Sequence, residues 1–197
     1  MIADVRESAL MKAEEVAALR GQTLTENREV LLAAAAELRA RLDAGGKLLA
    51  FGNGGSATDA ADLVADLRAA PVEGWSSRPA IDLTEDSSIL TAVANDVGVE
   101  QIFQRQVIAY GRDADAAIAL STSGSSANLI VALAEARRRG LATIAMVGYD
   151  GGRIAAEGLA DHVVVTRSEH IPRIQEAQAS AYHVLRELIE LSGGEPR

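Results

Sequence analysis

Between Ile2 and Leu19 apolar residues recur at helical spacing among charges, and from Glu26 to Asp43 the chain is richer still in strong helix formers. Both segments read as helices. Thr23, with Glu26 three positions on, predicts a capping box at the start of the second, and Gly45-Gly46 predicts its end. Beyond Gly46 the period changes. Short apolar runs of strand length recur as KLLAF (47–51), PAIDL (79–83), AAIALS (116–121), LATIAMV (141–147) and HVVVT (162–166), each followed by a turn signal and a longer helical pattern. This alternation predicts an α/β fold, a parallel sheet covered by helices on both faces. A last helix is expected over Ile171 to Leu191. No linker, repeat or shift in composition divides the 197 residues, so one domain is expected. The two leading helices carry more apolar surface than one sheet edge needs, which predicts a subunit interface.

Composition narrows the function. Hydrophobic residues make up 48% and charged residues 24%, a mixture that folds. With 3% aromatics there is little to stack on bases, and a net charge of −9 opposes contact with phosphate backbones, so no nucleic-acid partner is expected. The absence of cysteine excludes disulfides, thiolate nucleophiles and Cys-ligated metals. The N-terminus carries Asp4, Glu7, Glu14 and Glu15 without the apolar core of a signal peptide, so cytoplasmic residence is expected. One uncharged stretch, Ala116 to Ala134, is interrupted by STSGSSAN and is too polar to cross a membrane.

Two loops fall where ligands bind in such folds, at the carboxyl ends of strands. Gly52-Asn53-Gly54-Gly55-Ser56 follows the first strand and leads into a helix starting near Ala57. Ser121-Thr122-Ser123-Gly124-Ser125-Ser126 follows the third and leads into a helix starting near Ala127. Glycines let backbone amides approach a ligand, and hydroxyls with free amides at a helix start suit a phosphate monoester without any lysine. Either loop alone is equally a plain turn and N-cap; two in one sheet make that less satisfying. Neither is a Walker A loop or a dinucleotide fingerprint, so no nucleotide cofactor is indicated.

The chain resembles the sugar isomerase (SIS) domain superfamily, and within it the sedoheptulose 7-phosphate isomerase (phosphoheptose isomerase) family. The resemblance spans nearly the whole chain and rests on GNGGS (52–56), LTAVAND (90–96), STSGSSAN (121–128), GYDGGRIA (148–155) and RIQE (173–176), in that order. It implies an SIS-type three-layer, doubly wound fold with a five-stranded parallel sheet. N-terminal helices (1–44) would assemble a homotetramer, and a core (45–197) would bind sugar phosphate. It further implies that Asn53, Gly54, Gly55, Ser56, Asn95 and Asp96 approach the substrate and that Ser121, Thr122, Ser123 and Ser126 hold its phosphate. On spacing alone, Asn95-Asp96 is a helix-terminating turn.

Moving a proton between adjacent carbons through an enediol needs a base and an acid on the same sugar. The resemblance places these at Asp66 and His183, and a zinc site at Asp62, Asp66, Gln175 and His183, with Gln175 also against the substrate. Asp62 and Asp66 are four apart on one helix face, and Gln175 and His183, eight apart, share another. Two positions depart from the family. Asp66 stands for a glutamate and draws its carboxylate back by ~1.5 Å, while Asp62 stands for a histidine and makes the donor set oxygen-rich, suited to harder ions than zinc. Alternatively the two aspartates form a solvated helix face, and His183 a structural hydrogen bond. Gln178 stands where many relatives have histidine, and Pro172 where an acidic residue often precedes RIQE. His162 reads as surface, and His170 as near the site mouth. The implied activity is isomerisation of sedoheptulose 7-phosphate to D-glycero-D-manno-heptose 7-phosphate. Competing readings are a non-catalytic sugar-phosphate-binding protein, such as the relative that associates with the replication initiator DnaA, or an isomerase of another sugar phosphate.

Overall fold

The computed structural model describes residues 2 to 191, with side chains from residue 7 onward, so the expected bounds of 1–197 extend past the described residues at both ends. Helices α1 (Ile2–Glu26) and α2 (Arg28–Asp43) precede β1 (Leu48–Gly52), α3 (Gly55–Ala69), β2 (Ala80–Asp82) and α4 (Ser87–Asp96). A short 3-10 turn (Val99–Gln101) leads into α5 (Ile102–Tyr110), β3 (Ala116–Ser121), α6 (Ala127–Arg138), β4 (Ala142–Gly148), α7 (Gly152–Ala156), β5 (His162–Thr166) and α8 (Ile171–Leu191). The five strands are all parallel, in the order β2-β1-β3-β4-β5.

Every residue of β1, β3 and β4 is buried, as expected of unbroken apolar runs covered on both faces. Alternation along them feeds two cores. Leu48, Ala50, Ile118, Leu120, Ile144 and Met146 face α2, α3 and α8, while Leu49, Phe51, Ala117, Ala119, Ala145 and Val147 face α5 and α6. The chain leaves β1 for β2 on one side and returns to β3 on the other, so the strand order reverses between β1 and β3. Crevices open at such reversals, and the GNGGS and STSGSS loops flank this one.

The strands lie within one residue of the expected runs, but the leading helices differ. α1 continues to Glu26, past Gly21, because its C-terminal turns pack on α8 and β5, a tertiary gain that outweighs one glycine. The predicted capping box does not form. Thr23 lies inside α1 with its hydroxyl buried and unpartnered, and Asn27 occupies the joint between the helices. Asn27 Nδ2 donates to the carbonyls of Thr23 (2.8 Å) and Val165 (2.9 Å), and its Oδ1 accepts from Val165 N at 2.9 Å. The side-chain amide thus pairs with the outer edge of β5 as one residue of a neighbouring strand would.

Candidate active site

The α3 N-terminus forms because Gly54 adopts a positive φ (57°), turning the chain out of β1 into the helix. Gly55 is required by its neighbour. A Cβ there would lie 2.0 Å from Gln175 Nε2, so the glycine lets α8 lay Gln175 across the start of α3. Asn53 and Asn128 exchange reciprocal amide hydrogen bonds of 3.0 and 2.8 Å, tying the first loop to the first turn of α6.

In the second loop Ser121 is buried and its hydroxyl accepts from Gly124 N at 3.0 Å. Gly124 takes φ 61° with Gly151 O against it, where a Cβ would sit 2.2 Å away. Ser123 accepts from Ser125 N, and Ser126 is the N-cap of α6 with its hydroxyl making no capping bond. Thr122, Ser123 and Ser126 stand at the amino end of a 12-residue helix, where amides and the helix dipole favour an anion. Gln178, wholly buried, donates to Ser121 O at 3.1 Å and so connects this loop to α8.

The acid–base candidates meet across α3 and α8. His183 Nε2 lies 3.4 Å from Asp62 Oδ2 and 3.4 Å from Asp66 Oδ2. Tyr182 donates its hydroxyl to Asp62 Oδ2 at 2.7 Å. These contacts join the three side chains, and the group is open to solvent on one side. The side chains of Asp62, Asp66 and His183 are 52%, 28% and 48% exposed.

Asp59 was not anticipated. It lies on α3 one turn before Asp62, partly buried, with Oδ2 lacking any hydrogen-bond partner. Burial first, and the charge of Asp62 second, push its carboxyl up to about 6. The spacing of Asp59, Asp62 and Asp66 along one helix face was the available signal.

Other expectations separate from this group. Asn95 and Asp96 end α4, exposed, with Asn95 Nδ2 bonded to Asp96 Oδ1 at 2.7 Å; no hydrogen bond joins them to α3 or α8. His162 is not a surface residue. Its side chain is 16% exposed and its Nε2 lies 2.8 Å from Glu37. His170 is exposed in the β5–α8 loop. Among the described residues, no group of three or more His, Asp and Glu side chains is disposed to hold a metal ion, and none of the helices is long and apolar enough to cross a membrane.

Known proteins share this fold. The SIS domain family matches residues 13–148. The phosphoheptose isomerase of Nitratidesulfovibrio vulgaris is 38% identical over 190 residues, covering 96% of this chain and 90% of the relative. That of Thermodesulfovibrio yellowstonii is 40% identical over 185 residues, covering 93% and 91%. The solved structure of phosphoheptose isomerase from Neisseria gonorrhoeae superimposes with a TM-score of 0.87 at 33% identity, covering 95% of this chain and 99% of that one. With its five-stranded parallel sheet, its two loops at the strand reversal and these relatives along nearly its whole length, the chain belongs to the phosphoheptose isomerase family of SIS-domain proteins.

Proposed function

We propose that this chain is a sugar-phosphate isomerase that converts sedoheptulose 7-phosphate to D-glycero-D-manno-heptose 7-phosphate, with Asp66 and His183 as its acid–base pair. The observation that carries the reading is the placement of His183 Nε2 on α8 3.4 Å from a carboxylate oxygen of Asp66 on α3, in a fold where the start of α6 suits an anion. Thr122, Ser123 and Ser126, with Ser121 shaping the loop, hold the phosphate, and Asn53 to Ser56 line the path from there to α3. The carboxylate of Asp66 takes a proton from C1 of the ketose. The carbonyl oxygen at C2 gains a proton as the enediol forms, and reprotonation at C2 with loss of the O1 proton yields the aldehyde. His183 serves the oxygens, where a proton has to be given and taken back. Asp59, its carboxyl pushed up to about 6 by burial and by Asp62, lies on the same face of α3.

Two carboxylates and an imidazole on facing helices are donor types that suit a divalent cation. The family pattern would put zinc on Asp62, Asp66, His183 and Gln175, where it would polarise the substrate carbonyl, but the described side chains are not disposed to hold an ion. The openness of Asp62 and His183 also supports a homotetramer, because enediol chemistry needs water excluded and a second copy supplies the missing wall. Residues 1–44 then serve subunit packing and 45–197 the sugar-phosphate site, in a cytoplasmic enzyme. The test is to incubate metal-analysed protein with a panel of ketose phosphates and follow aldose formation. Turnover of sedoheptulose 7-phosphate is expected, and binding without turnover of any ketose phosphate overturns the proposal.

A further inference from the structure

We infer that Tyr182 is a positioning residue for the acid–base group, acting through Asp62. The inference rests on the assignment of Asp66 and His183 made above. Tyr182 is buried to 2% exposure in α8, and its hydroxyl reaches across to donate to Asp62 Oδ2 at 2.7 Å. The same oxygen stands 3.4 Å from His183 Nε2, and the Tyr182 and His183 rings lie 4.6 Å apart, tilted by 59°. One aromatic side chain therefore packs against the histidine ring and holds, through its hydroxyl, one of the two carboxylates the histidine points between.

Asp62 needs that anchor. Its side chain is half exposed, and among the described residues its carboxylate has, apart from His183, only Tyr182 as a hydrogen-bonding or ion-pairing partner. An exposed aspartate with no fixed partner samples several rotamers, and the imidazole between Asp62 and Asp66 would then follow whichever carboxylate came closest. Tyr182 is set by the core around it, with Ala181 and Leu185 buried on either side in the sequence. Its hydroxyl transmits that rigidity to Asp62, so that His183 is held between two fixed carboxylates. Proton transfer tolerates little misplacement of its acid and base, and groups that orient them repay their loss in rate.

The experiment compares Tyr182→Phe, Asp62→Asn and the double variant with the parental enzyme, using Asp66→Asn as a control for the underlying assignment. Tyr182→Phe is expected to lower kcat for sedoheptulose 7-phosphate about tenfold. KM should stay within about twofold, because the phosphate loop is untouched. The double variant should be no slower than Asp62→Asn alone, since both substitutions break one link. A readout independent of turnover is the ring resonances of the three histidines. The His183 signal should move in both single variants, while those of His162 and His170 stay in place. Parental kcat with an unmoved His183 signal in Tyr182→Phe, or losses that multiply in the double variant, would overturn the inference. If Asp66→Asn is inactive while Tyr182→Phe is parental, only the role of Tyr182 fails. If Asp66→Asn turns over at the parental rate, the acid–base assignment itself fails.

Discussion

Asp66 and His183 project from different helices, so removing either leaves the other in place without its partner. Asp66→Asn and His183→Ala are each expected to lose about 10²- to 10⁴-fold in kcat, while a binding isotherm for the sugar phosphate stays near the parental one because the α6 loop is intact. Asp66→Glu lengthens the reach across the gap to His183 and should keep or raise kcat; a loss comparable to that of Asp66→Asn would count against the assignment. Asp59 lends itself to a test of stability. Its folded carboxyl titrates near 6, above the unfolded value near 4. The stability it contributes is therefore full below pH 4 and lost as pH rises through 6. Asp59→Asn should stabilise the fold above pH 7 by about 1–2 kcal/mol after allowing for solvent, seen as a higher melting temperature. That advantage should vanish below pH 4, and a difference that does not vary with pH would refute the cause given. Spacing told which of Asp59, Asp62, Asp66, Gln175 and His183 share a face, whereas the shift at Asp59 left no trace in the sequence because it comes from burial, which only the packed helices create.

The ligand-facing loops depend on how α3 and α8 are held together, and Arg186 is central to that. It is fully buried, and its guanidinium bonds Glu190 at 2.6 Å and the Ser76 carbonyl at 3.0 Å. It also lies 4.4 Å from the centre of the Trp75 ring. One side chain of α8 thereby ties down the loop between α3 and β2. Arg186→Met should destabilise the fold by about 3 kcal/mol, since Glu190 is left partly buried with Arg78 as its remaining cation at 3.5 Å. Because Trp75 is the only tryptophan, its emission should shift in the same variant, and an unchanged spectrum would mean the loop does not depend on Arg186. Strands were readable within a residue because apolar runs flanked by turns have few other uses. The end of α1 was not, because Gly21 argues for a stop and only the contacts with α8 and β5 override it. A buried arginine serving a distant loop also leaves no periodic trace.

Across the whole molecule, α1 is the element with least to rest on. From Glu7 to Gln22 most of its residues are exposed, and Leu10 and Met11 are 61% and 55% accessible. A helix of about 37 Å with such a surface is expected to pack against further copies. Light scattering should give a tetramer at micromolar concentration, and the pair Leu10→Glu and Met11→Glu should shift it toward smaller species; a parental monomer would refute the assembly. The surplus apolar surface of the leading helices was legible in sequence, but which side chains of the acid–base group stay open was not, since that is set by where α3 meets α8.

Asn27 has a further consequence, for solubility. The β5 edge is the sheet border at which another polypeptide would add as an extra strand, and open borders of this kind seed ordered aggregates. By occupying both the amide and the carbonyl of Val165, the Asn27 side chain blocks the step by which a sixth strand would register there. Asn27→Ala should therefore fold and yet aggregate sooner on incubation below its melting temperature. Growth of a dye-binding, fibre-like fraction in that variant, absent from the parental protein, is the expected result, and equal lifetimes for the two would show that α1 and α2 shield the border without the amide.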